Sequence, residues 1–342
     1  MTESLNYRDA GVDLDAAERA KDALKDLVAS TRDRYTLSEL GAFGGLYQVP
    51  GDVPAPVLVS SADGVGTKLK LAFMANRHDT VGQCLVNHCV NDILVQGARP
   101  LFFLDYLATG EMDERVVSDV VRGVAIACKE NACALLGGET AQMPDFYAAD
   151  EYDLAGFIVG IVSHGDVIDG SKIESGDVLV GIASSGLHTN GYTLARKIVF
   201  EAMGLGIEDE IPGTGRSVAD ELLSVHQSYL PTLTGPLGQG VVRGLAHVTG
   251  GGIPGNLPRV LPEGLGAEVD RSSWPVPPVF QAMQAAGNVD RFEMDRVFNM
   301  GVGMIAVVSA DDAPVIHASA SEQGLDSWVI GEVGAGQGVT YR

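Results

Sequence analysis

The chain has 342 residues, 46% of them hydrophobic, with 45 acidic against 23 basic side chains and a formal net charge of −22. That length suggests two domains on the usual prior of about 150 residues each. So negative a chain excludes a nucleic-acid footprint, which shows as a basic patch or stripe, and no apolar run reaches the ~18 residues of a membrane span without charges or glycines.

Met1-Thr2-Glu3-Ser4 begins neither a signal peptide nor a basic transit peptide, so a cytosolic protein is expected. Asp13 to Ser30 reads as an amphipathic helix and Gly41-Ala42-Phe43-Gly44-Gly45 as a glycine loop. A first strand, Pro56-Val57-Leu58-Val59, runs into Ser61-Ala62-Asp63-Gly64-Val65-Gly66-Thr67-Lys68. This is not a Walker A loop, which needs Gly-Lys followed by Ser or Thr, whereas here Thr67 precedes Lys68. Strands that stop at glycine let backbone N–H groups approach phosphate oxygens, and a neighbouring carboxylate can hold a hard cation. For Asp63 alone, a plain turn is the competing reading.

Val81 to Ala98 reads as a helix closed by Gly97, with Pro100 just beyond, and it is apolar nearly all round. Asn87, His88, Asn91 and Asp92 form one polar stripe along it. A buried carboxylate needs a partner, so the stripe faces either an internal hydrogen-bond network or a metal and phosphate. Asp105, in the strand Leu101 to Leu107, poses the same question. Val116 to Asn131 reads as a helix, followed by a strand ending in Gly137-Gly138-Glu139-Thr140 and another at Leu154 to Val162. Asp63, Asp92 and Glu139 together describe one carboxylate site. Cys84, Cys89, Cys128 and Cys133 lie in apolar segments without a C-x-x-C pair, and are read as buried reduced thiols.

Residues 167–177 are polar and turn-rich, which sets a domain boundary, 1–168 against 169–342. The second unit opens on a buried strand, Val178 to Ile182, and reaches Ser184-Ser185-Gly186-Leu187-His188-Thr189-Asn190-Gly191 before a helix from Tyr192 to Met203. Hydroxyls, an imidazole and glycines at a helix N-terminus suit an anion; a simple N-cap is the alternative. His247-Val248-Thr249-Gly250-Gly251-Gly252 repeats glycines ahead of a helix, and Phe298-Asn299-Met300-Gly301-Val302-Gly303-Met304 leads into a strand. Three successive glycines are costly unless the backbone must approach something closely.

In this order, Asp63-Gly64-Val65-Gly66-Thr67-Lys68, Cys89-Val90-Asn91-Asp92, Pro100 to Tyr106, Gly137 to Ala141, Ser184-Ser185-Gly186 with His188 and Asn190-Gly191, Thr249 to Gly252, and Phe298-Asn299 with Gly301 to Met304 resemble the phosphoribosylformylglycinamidine cyclo-ligase family. The resemblance covers nearly the whole chain. It departs at Gln142, where the family usually has glutamate, and at Leu187, where it often has proline.

The resemblance implies an α+β fold: an N-terminal α+β domain whose strands pair across a homodimer into a barrel, and a C-terminal α/β domain, with the cleft between them. It implies ATP-dependent cyclisation of formylglycinamidine ribonucleotide to aminoimidazole ribonucleotide in purine biosynthesis. It further implies that Asp63, Asp92 and Glu139 carry Mg²⁺ with ATP, and that Gly64, Gly66, Thr67, Lys68 and Gly138 meet the phosphates. His188 would stabilise charge on the reacting amide, while Asn190, Gly250, Gly251 and Gly252 position substrate or phosphate. Lys25 is a further phosphate candidate, though a lysine on a charged helix is ordinarily solvated.

Overall fold

The computed structural model describes residues 14–39, 41 and 44–342; the tip of the glycine loop at 42–43 lies outside them. Two sheets organise the chain. The first holds β1 (Pro56–Gly64), β4 (Tyr152–Ser163), β2 (Arg99–Thr109) and β3 (Ala134–Gln142), in the order β1-β4-β2-β3. The second has six strands: β5 (Val178–Ala183), β6 (Gly244–His247), β7 (Leu265–Val269), β8 (Val302–Val308), β9 (Ser327–Ala335) and β10 (Gly338–Tyr341), ordered β10-β7-β9-β5-β8-β6. Only β10 and β7 pair in parallel in this second sheet. The second unit, which also carries helices, is therefore an α/β domain whose sheet is mixed and mainly antiparallel.

Helix α1 (Leu14–Ala29), helix α3 (Asp79–Leu94) and helix α4 (Glu114–Glu130) pack on one another and on the first sheet, and the short helix α2 (Leu69–Ala75) joins β1 to α3. Asp113 caps α4, its Oδ1 accepting from the Arg115 and Val116 N–H groups at 2.8 and 3.1 Å. Glycine lets α3 and α4 cross closely: a Cβ on Gly82 would stand 2.2 Å from the Val120 carbonyl oxygen, and one on Gly123 1.9 Å from that of Asp79. Helix α3 is buried all round, as its composition requires. Its end is a Schellman motif, with Gly97 at φ +81° and the Ala98 N–H donating to Ile93 O.

Two strands run through glycines expected to end them. β1 continues to Gly64, and β3 continues past Gly137-Gly138 to Gln142. Gly138 is a packing requirement, because a Cβ there would meet Asp105 Oδ1 of β2 at 2.4 Å. Among the described residues the other face of this sheet carries no helix across Leu58, Ala62, Phe157 and Leu104, which share it by register; Leu58 and Phe157 are 57% and 45% exposed. Among the described residues no helix is long and apolar enough to cross a membrane.

Candidate active site at the seam between the sheets

The polar stripe of α3 reaches the second unit. Asn87 Nδ2 donates to His226 O at 2.8 Å, Asn91 Nδ2 donates to Gln227 O at 2.8 Å, and Asn91 Oδ1 accepts from Tyr229 N–H at 2.9 Å. These amides fasten the 224–229 loop against the helix. His88 and Asp92 enter a ring of side chains drawn from both units. His88 Nε2 lies 2.8 Å from Asp63 Oδ2 and 3.7 Å from Asp92 Oδ2, while His88 Nδ1 lies 2.5 Å from Thr189 Oγ1. Thr189 Oγ1 is 3.4 Å from His226 Nδ1, His226 Nε2 is 3.0 Å from His247 Nε2, and His247 Nδ1 returns to Asp92 Oδ1 at 2.9 Å. Ser61 Oγ donates to Asp92 Oδ2 at 3.1 Å.

The ring sets the charge of its members. Burial raises Asp63, but the His88 hydrogen bond and charge, with the Gly64 N–H, outweigh it and hold the carboxyl below its usual range. Asp92 behaves likewise: burial raises it, and His247, His88 and Ser61 bring it below the ordinary value. Burial lowers His88, yet Asp63 and Asp92 hold it above normal, so it takes up a proton more readily than the other imidazoles of the ring. Burial depresses His247 despite Asp92, and pushes His188 and His226 well down, helped by the neighbouring imidazoles and Lys68. Two ionised carboxylates, 45% and 24% exposed, thus sit at the seam beside His88, with the depressed imidazoles of His247, His226 and His188 next to them.

His188 is held in an unusual backbone conformation, φ +63°, and is 2% exposed. Its ring stacks on His226 with centroids 3.9 Å apart, its Nε2 accepts from Ser185 N–H at 3.3 Å, and its Nδ1 is buried with no hydrogen-bond partner among the described residues. Gly303 leaves room for the ring, since a Cβ there would stand 2.0 Å from Tyr229 Oη and 2.5 Å from His188 Cε1. Lys68 is fully buried, and its Nζ donates to Ser224 O at 2.6 Å, His188 O at 2.9 Å and Cys84 Sγ at 3.1 Å. All three protons are committed: two hold the His188 and Ser224 loops of the second unit, and the third goes to Cys84 on α3 of the first. In this geometry Lys68 is a tether, with no proton left for a phosphate.

The expected site residues fall into three places. Asp63, Asp92, Lys68 and His188 meet at the seam. Gly66 and Thr67 line an adjoining cleft of about 580 Å³ with Asn190, Thr193 and Lys197, and Gly64 precedes them at the end of β1. Asn190 Oδ1 comes within 3.1 Å of where a Cβ on Gly250 would be, so the second unit's two glycine loops touch. The close approach demanded at Gly252 is to the protein itself: a Cβ there would stand 1.8 Å from the Asp295 carbonyl oxygen, with Gly251 and Gly252 at φ +100° and +60°.

Glu139 stands apart. Asp63, Gly156, Asp105 and Gly138 form one row across the sheet, which places β3 three strand spacings, about 14 Å, from β1. Glu139 pairs with Tyr106 and so points to the face opposite Asp105. Within one chain the three carboxylates are therefore not one cluster. Asp105 is buried on the helix-covered face, where loss of hydration raises its carboxyl to about 7. Lys25 lies exposed on α1, and Leu187 is buried in the core.

Sequence alone does not assign His226 and Lys197 to the site; it names Ser61, Thr189 and His88 only as members of their motifs, and it leaves His247 without a role. The signal for His88 is its place in the stripe, and that for His247 the glycines that follow it. His226 follows Ser224-Val225 in a loop with no pattern to mark it.

Fold and seam together define a two-sheet protein of the AIR synthase-related type: the N-terminal domain model of that family matches residues 50–162 and its C-terminal domain model residues 174–342. The chain is 52% identical to a phosphoribosylformylglycinamidine cyclo-ligase of Citrifermentans bemidjiense, over 96% of this chain and 95% of the relative. It is also 52% identical to one of Geobacter sulfurreducens, over 96% and 94%. The crystal structure of thiamine-monophosphate kinase from Stenotrophomonas maltophilia shares the fold at a TM-score of 0.72 and 20% identity, covering 93% of this chain and 95% of that one. A hydrogenase maturation protein HypE in complex with ATP matches at 0.65 and 18%, covering 96% and 89%. The chain belongs to the phosphoribosylformylglycinamidine cyclo-ligase family.

Proposed function

We propose that this protein catalyses ATP- and Mg²⁺-dependent closure of formylglycinamidine ribonucleotide to aminoimidazole ribonucleotide, releasing ADP and phosphate, in the cytoplasm. The observation that carries the reading is the seam itself, where ionised Asp63 and Asp92 of the first unit meet the buried neutral His188 of the second. A kinase of the same fold is the alternative; relatives at 52% identity over nearly full length favour the cyclo-ligase.

An amide oxygen leaves poorly. When bound, ATP with Mg²⁺ supplies the phosphoryl group that makes the formyl oxygen a leaving group. A nitrogen of the substrate's own amidine then attacks the activated carbon, the C–O bond breaks and the nitrogen gives up a proton. Asp63 and Asp92 fit a hard cation, being oxygen donors kept ionised by His88 and His247 and partly open to solvent. His188, with a hydrogen bond still to give at Nδ1, acts on the amide oxygen as charge develops there. Lys68 positions that histidine by binding its carbonyl. Asn190, Gly66, Thr67 and Lys197 line the cleft that receives the phosphates, with Gly64 beside them. Holding nucleophile and electrophile of one molecule in attack geometry supplies much of the rate.

The domain division lies at 168/169. The working form is a homodimer in which the first sheets close a barrel through their free edges, β1 and β3, and cover the apolar face bearing Leu58 and Phe157. In that barrel β3 of one copy adjoins β1 of the other, so Glu139 and Gly138 approach the second copy's carboxylates by one strand spacing in place of three.

The test is ADP release coupled to product analysis with formylglycinamidine ribonucleotide. ADP, phosphate and a ring-closed product in equal amounts are expected; a stable phosphorylated product without ring closure would establish the kinase reading.

A further inference from the structure

His188 is loosely gripped for a group that acts on a substrate. Its ring takes a single hydrogen bond, from Ser185 N–H to Nε2 at 3.3 Å, the long end of the usual range, and its Nδ1 meets no partner among the described residues. Lys68 holds the backbone carbonyl and not the ring. Packing must therefore set the plane of the imidazole. Gly303 makes room at Cε1, and Tyr229 is tilted and distant, with centroids 6.2 Å apart. Only His226 lies against the face, at 3.9 Å between centroids and 21° between planes. His226 is itself held at every polar atom. Its N–H donates to Cys84 Sγ at 3.4 Å and its carbonyl accepts from Asn87 Nδ2 at 2.8 Å. Its Nδ1 lies 3.4 Å from Thr189 Oγ1, and its Nε2 lies 3.2 Å from Asn91 Nδ2 and 3.0 Å from His247 Nε2. Neither amide is free to turn over, because Asn91 Oδ1 accepts from Tyr229 N–H and Asn87 Oδ1 accepts from Asn131 Nδ2, both at 2.9 Å.

We propose that His226 is the positioning residue for His188, a rigid flat plate whose face sets the plane in which His188 presents its Nδ1 to the substrate. The role belongs to the shape of the ring and not to its protons. Cys84, Asn87 and Asn91, which hold the plate, recur at i, i+3 and i+7 and so share one face of α3. Asp92 follows Asn91 on the same helix. One rigid element thus carries Asp92 directly and aligns His188 through His226, so the carboxylate of the first unit and the imidazole of the second are set from a common frame. A positioned group loses its effect when it shifts by about 1 Å, and a lone long hydrogen bond would not prevent such a shift. That the placement governs turnover rests on the cyclo-ligase reading; that His226 fixes the ring does not.

The experiment compares His226→Leu with His226→Phe in the full chain. Both remove the ring nitrogens and leave the same groups of Asn91 and Thr189 unpaired, but only phenylalanine keeps a flat face. In ADP release with formylglycinamidine ribonucleotide, His226→Leu should lower kcat about 10²-fold with KM for ATP nearly unchanged, and His226→Phe should restore most of that loss. In histidine-labelled protein without nucleotide or substrate, the His188 ring-proton resonances, assigned by their absence in His188→Gln, should lie upfield under the ring current of the stack in the wild type and in His226→Phe, and move downfield in His226→Leu. Wild-type turnover in a folded His226→Leu, a folded His226→Phe as slow as His226→Leu, or His188 resonances that stay in place when the ring is removed would each overturn the role. Wild-type resonances without the upfield shift would overturn it even if a variant fails to fold. Should the wild type release no ADP, the cyclo-ligase reading fails while the resonances still decide what holds His188.

Discussion

Gly303→Ala is the sharpest probe of how His188 is held. The added methyl would stand 2.0 Å from Tyr229 Oη and 2.5 Å from His188 Cε1, and neither neighbour is a flexible chain end. Tyr229 is fully buried with its hydroxyl donated to Ala183 O at 2.8 Å, and His188 is stacked on His226 and tied through its carbonyl to Lys68. Something must move by about 1 Å to restore contact distance. Overpacking of this kind costs about 1–3 kcal/mol, which in a unit of this size lowers Tm by roughly 2–12 °C at 2–4 °C per kcal/mol. A displacement of about 1 Å in a positioned group can cost about 10² in rate. The prediction is a folded protein, modestly less stable, with turnover about 10²-fold lower and ATP affinity nearly unchanged. Thermal unfolding, calorimetric ATP binding and steady-state ADP release test it together. Wild-type turnover in a variant whose Tm has fallen would mean that the position of His188 does not matter to the reaction.

Asp92→Asn keeps the shape and an acceptor for His247 but removes a negative ligand, so turnover should fall by about 10² or more with secondary structure intact; near-normal rates at low Mg²⁺ would refute the metal role. Asp105 has its folded pKa raised by burial to about 7, above its ordinary 3.8. The folded state thus holds the proton longer than the unfolded one, and stability falls as pH rises from about 4 to about 7, by up to about 4 kcal/mol from this group. Asp105→Asn should flatten that part of the stability curve in denaturant titrations; an unchanged slope would show that Asp105 is not its source. Phe157→Asp, placing a charge on the uncovered sheet face, should convert a dimer to a monomer in sedimentation, and an active wild-type monomer at micromolar concentration would contradict the barrel.

What the sequence discloses depends on range. The α3 stripe is legible because a helix carries its period in consecutive residues, and the demand that Asp92 have partners follows from burial alone. The partners are not legible. His226 and His247 come from separate strands and loops more than a hundred residues on, and nothing local marks them as a pair. Gly138 reads as punctuation because its need for hydrogen in place of Cβ is set by Asp105 on the next strand. Glu139 groups with Asp63 and Asp92 by its neighbours in sequence, yet strand alternation sends it to the other face. Lys68 resembles a phosphate contact because charge suggests solvent; three acceptors from distant segments keep it inside.

The buried ammonium of Lys68 bears on how such a protein can be divided. Two of its three acceptors are carbonyls of the second unit, and one continuous core joins Leu85, Val90 and Phe103 with Leu187, Tyr192 and Phe280. A gene break at the polar connector would strand a desolvated charge on one fragment and bare an oily wall on the other. The two halves, though each owns a sheet, share one core, and the seam proposed for the chemistry is also what obliges them to fold together.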